Sequence, residues 1–181
     1  MTLAEVKKEF YALRNGIIAD TMRKAAAPYR MVFGLNLPQL SQIAKTIGTD
    51  QALALELKAD TGVRESQLLA PMIFDASQLS EGDAEQWLRS CPGTEAVDIL
   101  CLKLLRHRQY AGSLAIRLAD DADALTRYAA LRLAFNTLPA NLKQYRQMAD
   151  SEIKRNCSLT QGIAQALISE CDFLIESESE H

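Results

Sequence analysis

The centre of the chain, residues 95–106, reads EAVDILCLKLLR. Apolar side chains surround almost the whole circumference of this predicted helix, a pattern typical of a central helix that is buried on most sides. Asp98 is the exception, because it lies on one stripe with Cys101, Leu102 and Leu105. An unpaired carboxylate is costly to bury, so the sequence predicts a cationic partner for Asp98.

Helical periodicity continues from this stretch in both directions, and no segment shows the sustained alternation of a half-buried strand. Pro38 suits the first turn of a helix, and Asp50 suits the cap of the next one. Pro71 lies inside a helical run and is expected to kink it. Helices are predicted at residues 3–25 with a break near Gly16, and at 38–47, 50–58, 61–75, 80–91, 95–106, 110–119, 123–138, 141–155 and 158–174.

Short loops between these helices favour antiparallel neighbours. Pairs of helices recur at a spacing of about 30 to 35 residues, which is typical of helical-repeat proteins. The sequence therefore predicts an all-α fold, a HEAT-like helical-repeat superhelix of the α-α solenoid type. We expect one domain over residues 1–175 and a flexible acidic tail over residues 176–181.

Charge and composition narrow the possible partners. The chain has 20 Lys and Arg against 23 Asp and Glu, but residues 157–181 carry no Lys or Arg and five acids, which leaves the rest slightly basic. This distribution excludes neither DNA nor a protein as a partner. Four cysteines without a CxxC pair, and only two histidines, predict no metal site, and no motif indicates a cofactor.

The N-terminal segment lacks the pattern of a signal peptide, and the longest apolar run, from Leu68 to Phe74, is too short for a bilayer. These features predict a cytoplasmic protein without a membrane partner.

Three charged residues, Arg64, Asp98 and Arg127, lie near the start of the second helix in successive pairs. If the pairs stack, the three side chains form a row on one face. An ion pair between Arg127 and Asp98 would be natural there, either as a tie between repeats or as part of a functional site. Further basic residues follow, and they suit either phosphate contacts or the negative ends of helix dipoles: Lys103, Arg106, His107, Arg108 and Arg117.

Several motifs occur in a familiar order. Residues 32–45, VFGLNLPQLSQIAK, resemble the YGVxxPxLRxIAK entry of the AlkD-type DNA alkylation repair glycosylases, and residues 62–70, GVRESQLLA, resemble their IHEARLLA helix. Residues 85–87, EQW, are similar to the family's DRW. Asp98 falls at the acid of the family's WDxCDxxC stretch, and Arg127 falls at its active-site arginine.

The resemblance implies HEAT-like repeats that bind double-stranded DNA and release N3- or N7-alkylated purines. It assigns to Asp98 the stabilisation of positive charge on the deoxyribose and the positioning of water, and to Arg127 the adjacent phosphate. Thr94 lies where the family has an active-site aromatic residue. Candidate DNA contacts are Arg64, Lys103, Arg106, Arg108 and Arg117.

A different class of function fits the same residues. A non-catalytic HEAT-like scaffold would bind protein or DNA, and Asp98 and Arg127 would form a structural ion pair within it.

Overall fold

The computed structural model describes residues 1–179, and side chains are described up to Ser177. Its described residues form helices, joined by loops that include one isolated β-bridge between Met31 and Val63. The helices are α1 (Leu3–Ala12), α2 (Gly16–Lys24), α3 (Leu37–Ile47), α4 (Gln51–Ala59), α5 (Arg64–Ile73), a 3-10 turn (Ala76–Gln78), α6 (Glu81–Ser90), α7 (Thr94–Leu100), a π-helical turn (Cys101–Leu105), α8 (Ala111–Leu118), α9 (Ala124–Asn136), α10 (Leu142–Lys154) and α11 (Gln161–Ser179). The predicted all-α class is confirmed.

Local capping explains where many of these helices begin. Asn36 and Gln39 form a reciprocal capping box at the start of α3. Asp50 accepts a hydrogen bond from the Leu53 amide at 3.0 Å, as the sequence predicts for α4. The predicted break near Gly16 is also present, because Asn15 caps α2 there.

The structure differs from the sequence-based helices in the central stretch, whereas the predicted helix through Pro71 is present. Residues 95–106 do not form one continuous α-helix, because α7 gives way to the π-helical turn at Cys101. Pro71 lies within α5, which continues to Ile73. All residues of α5 except Met72 are buried, and tertiary packing of that extent outweighs the loss of one backbone hydrogen bond.

Helix α11 runs through Glu176 to Ser179, so this part of the predicted flexible tail is helical. Glu180 and His181, the end of that tail, lie outside the described residues.

Residues that contact one another group into two compact units, and the predicted single domain over residues 1–175 stays a prediction. Unit 1 comprises Met1–Leu79 and Cys91–Leu104. Helix α5 is central to it and packs against α3, α4 and α7. Its fully buried side chains include Leu40, Leu57 and Leu68. Because α5 is covered on several sides, polar side chains at its start lie in the interior of this unit.

Unit 2 comprises Ser80–Ser90 and the chain from Leu105 onward. Helix α9 is central to it and packs against α6, α8, α10 and α11. Buried residues of this unit include Leu114, Leu131 and Tyr145. Polar residues at the start of α9 are therefore buried in the same way as those of α5.

Candidate functional site

Asp98 lies on helix α7 of unit 1, one helical turn after Thr94. It is half-buried, whereas its neighbours Val97 and Ile99 are buried. Residues four positions apart lie on the same helical face, so Thr94 and Asp98 belong to one face of α7. Within α7, Thr94, Glu95 and Asp98 are partly exposed, and the residues between Ala96 and Leu100 other than Asp98 are buried.

The other carboxylate of α7, Glu95, is bound by Arg64 of α5. The Arg64 Nε donates to Glu95 Oε2 at 2.7 Å, and Arg64 Nη2 donates to Glu95 Oε1. Nη1 donates to the Leu35 carbonyl and to Glu65 Oε1, each at 2.9 Å. Arg64, a predicted DNA-contacting residue, is 3% exposed, and its hydrogen bonds join α5, α7 and a loop.

Glu65 is fully buried beside Arg64, and it binds the loop that precedes α3. Its carboxylate accepts hydrogen bonds from the amides of Phe33, Gly34 and Leu35 at 3.0, 2.9 and 3.3 Å. Gly34 has φ +82°, and a Cβ there would lie 2.4 Å from the Asn15 carbonyl oxygen. The loop therefore requires glycine at this position and a carboxylate opposite its amides.

These contacts shift the pKa of Arg64. Burial alone would lower the pKa of the guanidinium, but the hydrogen bonds to Glu95 and the charges of both glutamates more than offset it, so the pKa is raised. Nearby, burial raises the pKa of the Tyr29 hydroxyl, with the charge of Glu95 adding to the effect.

A small cavity of about 170 Å³ lies beside this cluster in unit 1. It is lined by Met22, Ala27, Pro28, Tyr29, Gly93, Thr94 and Glu95. The buried Tyr29 hydroxyl has no hydrogen-bond partner among the described residues. Thr94, which lies on the face of α7 that carries Asp98, is thus one of the residues that line this cavity.

Arg127 lies at the start of α9 in unit 2, and it is 8% exposed. Its Nε donates to both oxygens of Glu152 at 3.1 and 3.0 Å, and its Nη1 donates to the carbonyls of Asp121 and Ala122. Burial would lower its pKa, but the hydrogen bonds and charge of Glu152 raise it. The partner of Arg127 is therefore Glu152, where the sequence predicts Asp98.

The remaining basic candidates differ in their surroundings. Arg117 is exposed and bridges Glu81 and Glu85 of α6, with both N–O distances at 2.7 Å. Lys103 and Arg106 are exposed, and Arg108 is half-buried. No group of histidines, cysteines and carboxylates among residues 1–179 could hold a metal ion. No helix in the described part of the chain is long and apolar enough to span a bilayer.

Comparison with known proteins decides the family. A sequence model described as "DNA alkylation repair enzyme" matches residues 6–177, nearly the whole chain. The protein belongs to the DNA alkylation repair enzyme family. Among curated proteins, none is significantly similar to it.

One solved structure is similar in fold to this DNA alkylation repair family member. The structural alignment covers 92% of this chain and 74% of the solved chain, with a TM-score of 0.79 and 21% sequence identity. Its title describes "a new family of proteins related to the HEAT-like repeat DNA glycosylases with affinity for branched DNA structures". The match confirms the predicted HEAT-like helical fold.

The two motifs that carry the family resemblance are in contact in the structure. The stretch at residues 32–45 and the stretch at residues 62–70 meet where Glu65 binds the loop amides. Glu65 and Glu152 are the residues that the sequence-based reasoning missed. Each is an acid on an otherwise buried helical face, which is the criterion that singled out Asp98; Glu152 follows Tyr145 and Ala149 on the buried stripe of α10.

Proposed function

We propose that this protein binds DNA and releases alkylated purine bases from it, with the Asp98 carboxylate beside the sugar of the damaged nucleotide. One observation carries the proposal: Asp98 is partly exposed on a helix whose other residues between Ala96 and Leu100 are buried. Membership of the DNA alkylation repair enzyme family supports a nucleic-acid substrate.

The chemistry suits a single carboxylate. An N3- or N7-alkylated purine is cationic, so it leaves with the electron pair of the glycosidic bond and becomes neutral. Positive charge then develops on the deoxyribose, and a nearby carboxylate stabilises it. Water forms the new bond to C1′, and the carboxylate accepts its proton before solvent removes it. Asp98 would supply both functions without a metal or cofactor.

Arg64 and Arg127 are given structural roles in this proposal. Each guanidinium is nearly fully buried and bound by glutamate, so a phosphate would have to displace a carboxylate that is already well placed. The proposed phosphate contacts are therefore the basic residues that are more exposed, Lys103 and Arg106, together with Arg108.

The test is release of free 7-methylguanine from methylated duplex DNA. Asp98→Asn should reduce release at least a hundredfold, because the amide cannot stabilise the cationic sugar, while DNA affinity stays within about twofold. Asp120→Asn is a matched control, since it removes an acid whose side chain is 86% exposed. Full activity of Asp98→Asn would exclude Asp98 from the reaction.

A second candidate function is binding of branched DNA without base release. Two observations favour it: Thr94 stands where the resemblance places an aromatic residue, and the solved relative is described as having affinity for branched DNA. This candidate predicts no 7-methylguanine release by the wild type and tighter binding to a four-way junction than to a duplex of the same total length. Equal affinity for the two DNAs would argue against it.

A further inference from the structure

The largest cavity described in unit 2 has a volume of about 630 Å³ and a distinctive lining. Three consecutive basic residues, Arg106, His107 and Arg108, line it directly after the π-helical turn. The rest of the lining comes from Gln109, the start of α8, the end of α9, the loop that leads into α10, and Tyr145 of α10. The remaining polar residues of its lining are Gln109, Ser113, Asn136, Thr137, Asn141 and Tyr145.

No aspartate or glutamate belongs to the described lining of this cavity. In contrast, Arg117, Arg127, Arg146 and Arg155 of the same unit all form ion pairs with carboxylates. Within the described residues, neither Arg106 nor Arg108 has a carboxylate partner. Positive charge therefore accumulates at this cavity although the whole chain has a net charge of −3.

Two hydrogen-bond donors of the lining are buried and unused. Arg108 Nε and Asn136 Nδ2 have no acceptor among the described residues. A buried donor without a partner costs about 1 to 3 kcal/mol of desolvation in a folded protein, so native structures rarely leave one unexplained. Here two such donors belong to residues of the same acid-free cavity. Both donor atoms are closed to solvent, so a ligand rich in acceptor oxygens would satisfy them once the two side chains turn toward the cavity.

The remaining lining is held in place by its own contacts. Tyr145 Oη lies 2.8 Å from Thr137 Oγ1, and it also accepts from Asn141 Nδ2 at 3.5 Å. Gly112 faces them closely, since a Cβ there would lie 2.9 Å from Asn141 Nδ2. These lining residues thus hold one another in place without a ligand, which reduces the entropic cost of binding.

We propose that this cavity binds a phosphate group, with Arg106 and Arg108 supplying charge and Arg108 Nε and Asn136 Nδ2 donating to phosphate oxygens. The proposed DNA-binding function makes a DNA phosphodiester the expected source of this phosphate, and this part of the proposal rests on that function. A free phosphorylated small molecule would offer the same chemistry. Guanidinium groups and amide donors are suited to phosphate oxygens.

The first experiment uses inorganic phosphate alone, titrated at constant ionic strength with chloride as the balancing anion. We expect phosphate to raise the Tm of the wild type, because a ligand that binds only the folded state stabilises it. Asn136→Leu should abolish this rise while leaving the Tm without phosphate unchanged or higher, since it removes an unsatisfied donor. A wild-type Tm that does not respond to phosphate overturns the proposal.

The second experiment measures binding to an unmodified duplex oligonucleotide. Arg108→Gln should weaken binding about tenfold or more, as loss of a charge-assisted hydrogen bond implies. Lys154→Gln, which removes one exposed positive charge elsewhere in unit 2, should change it less than about twofold. Phosphate binding with unchanged duplex affinity in Arg108→Gln supports the site and identifies a small phosphorylated ligand instead. Neither experiment depends on base release, so a failure of the Asp98 chemistry is separable from a failure of this site.

Discussion

The arginines at the starts of α5 and α9 and those beside the large cavity of unit 2 have opposite surroundings. Arg64 and Arg127 are almost fully buried, and glutamates and carbonyls accept most of their donors. Arg106 and Arg108 are more exposed, and no described carboxylate pairs with them. A basic residue near a family motif therefore does not by itself identify a ligand-binding site. The state of its donors does, because a guanidinium already bound by a carboxylate has little left to offer a phosphate.

Removal of the buried acid of unit 1 tests whether Arg64 and the loop before α3 depend on Glu65. Glu65→Leu should lower the free energy of unfolding by about 4 kcal/mol, because three loop amides lose their acceptor and a charge partner of Arg64 disappears. Urea denaturation followed by circular dichroism measures the change. Glu65→Gln should cost clearly less, since its amide oxygen still accepts from the loop.

Glu56→Leu provides the control for this substitution, because Glu56 is exposed on α4 and its loss should change stability by less than about 0.5 kcal/mol. If Glu65→Leu were as mild as Glu56→Leu, the loop before α3 would not depend on the buried carboxylate.

A second substitution separates a structural Arg127 from one that contacts DNA. Arg127→Met should destabilise the protein by about 2 to 3 kcal/mol, because Glu152 keeps a buried charge with fewer partners. The salt dependence of DNA binding should stay unchanged. A decrease of about one unit in the slope of log affinity against log salt concentration would instead place Arg127 on a phosphate.

The smallest effect is expected for an arginine that is paired but exposed. Arg117→Ala breaks two ion pairs to α6, yet both partners are solvated, so the cost should be about 0.5 kcal/mol or less. Thermal unfolding in low and high salt measures it, and the difference from wild type should shrink in high salt. A loss above about 1.5 kcal/mol would show that exposure is a poor guide to the strength of these pairs.

Much of the fold was accessible from the sequence because local rules determine it. Helix starts at Asn36 and Asp50 follow from side chains that accept backbone hydrogen bonds within the same turn. The π-helical turn at Cys101–Leu105 was not accessible, because residues 101–105, CLKLL, continue the mostly apolar pattern of residues 96–100 and contain no local signal of a change in helix type. The helix through Pro71 was predicted from its periodicity, and burial of α5 by other helices explains why it tolerates the proline.

The candidate site was predictable only in part. Asp98 stands out as a charge in an apolar helix, and patterning alone finds it. The carboxylate partners of the arginines cannot be predicted from patterning, because they are distant in the sequence. Glu95 lies 31 residues from Arg64, and Glu152 lies 25 residues from Arg127. Sequence spacing placed Asp98 and Arg127 one repeat apart, but the choice between Asp98 and Glu152 depends on how α9 and α10 pack.

The contact between Glu65 and the loop before α3 has a consequence for evolution of this protein. Consecutive backbone amides that converge on one point are a common means of binding anions. In this chain the position is filled by a carboxylate of its own, delivered from α5. Glu65 thus occupies, as part of the same chain, the position in which these amides could bind a separate anion. A related protein with a small neutral residue at position 65 would lose these stabilising hydrogen bonds. Its loop amides would then be available to bind an anion from solution.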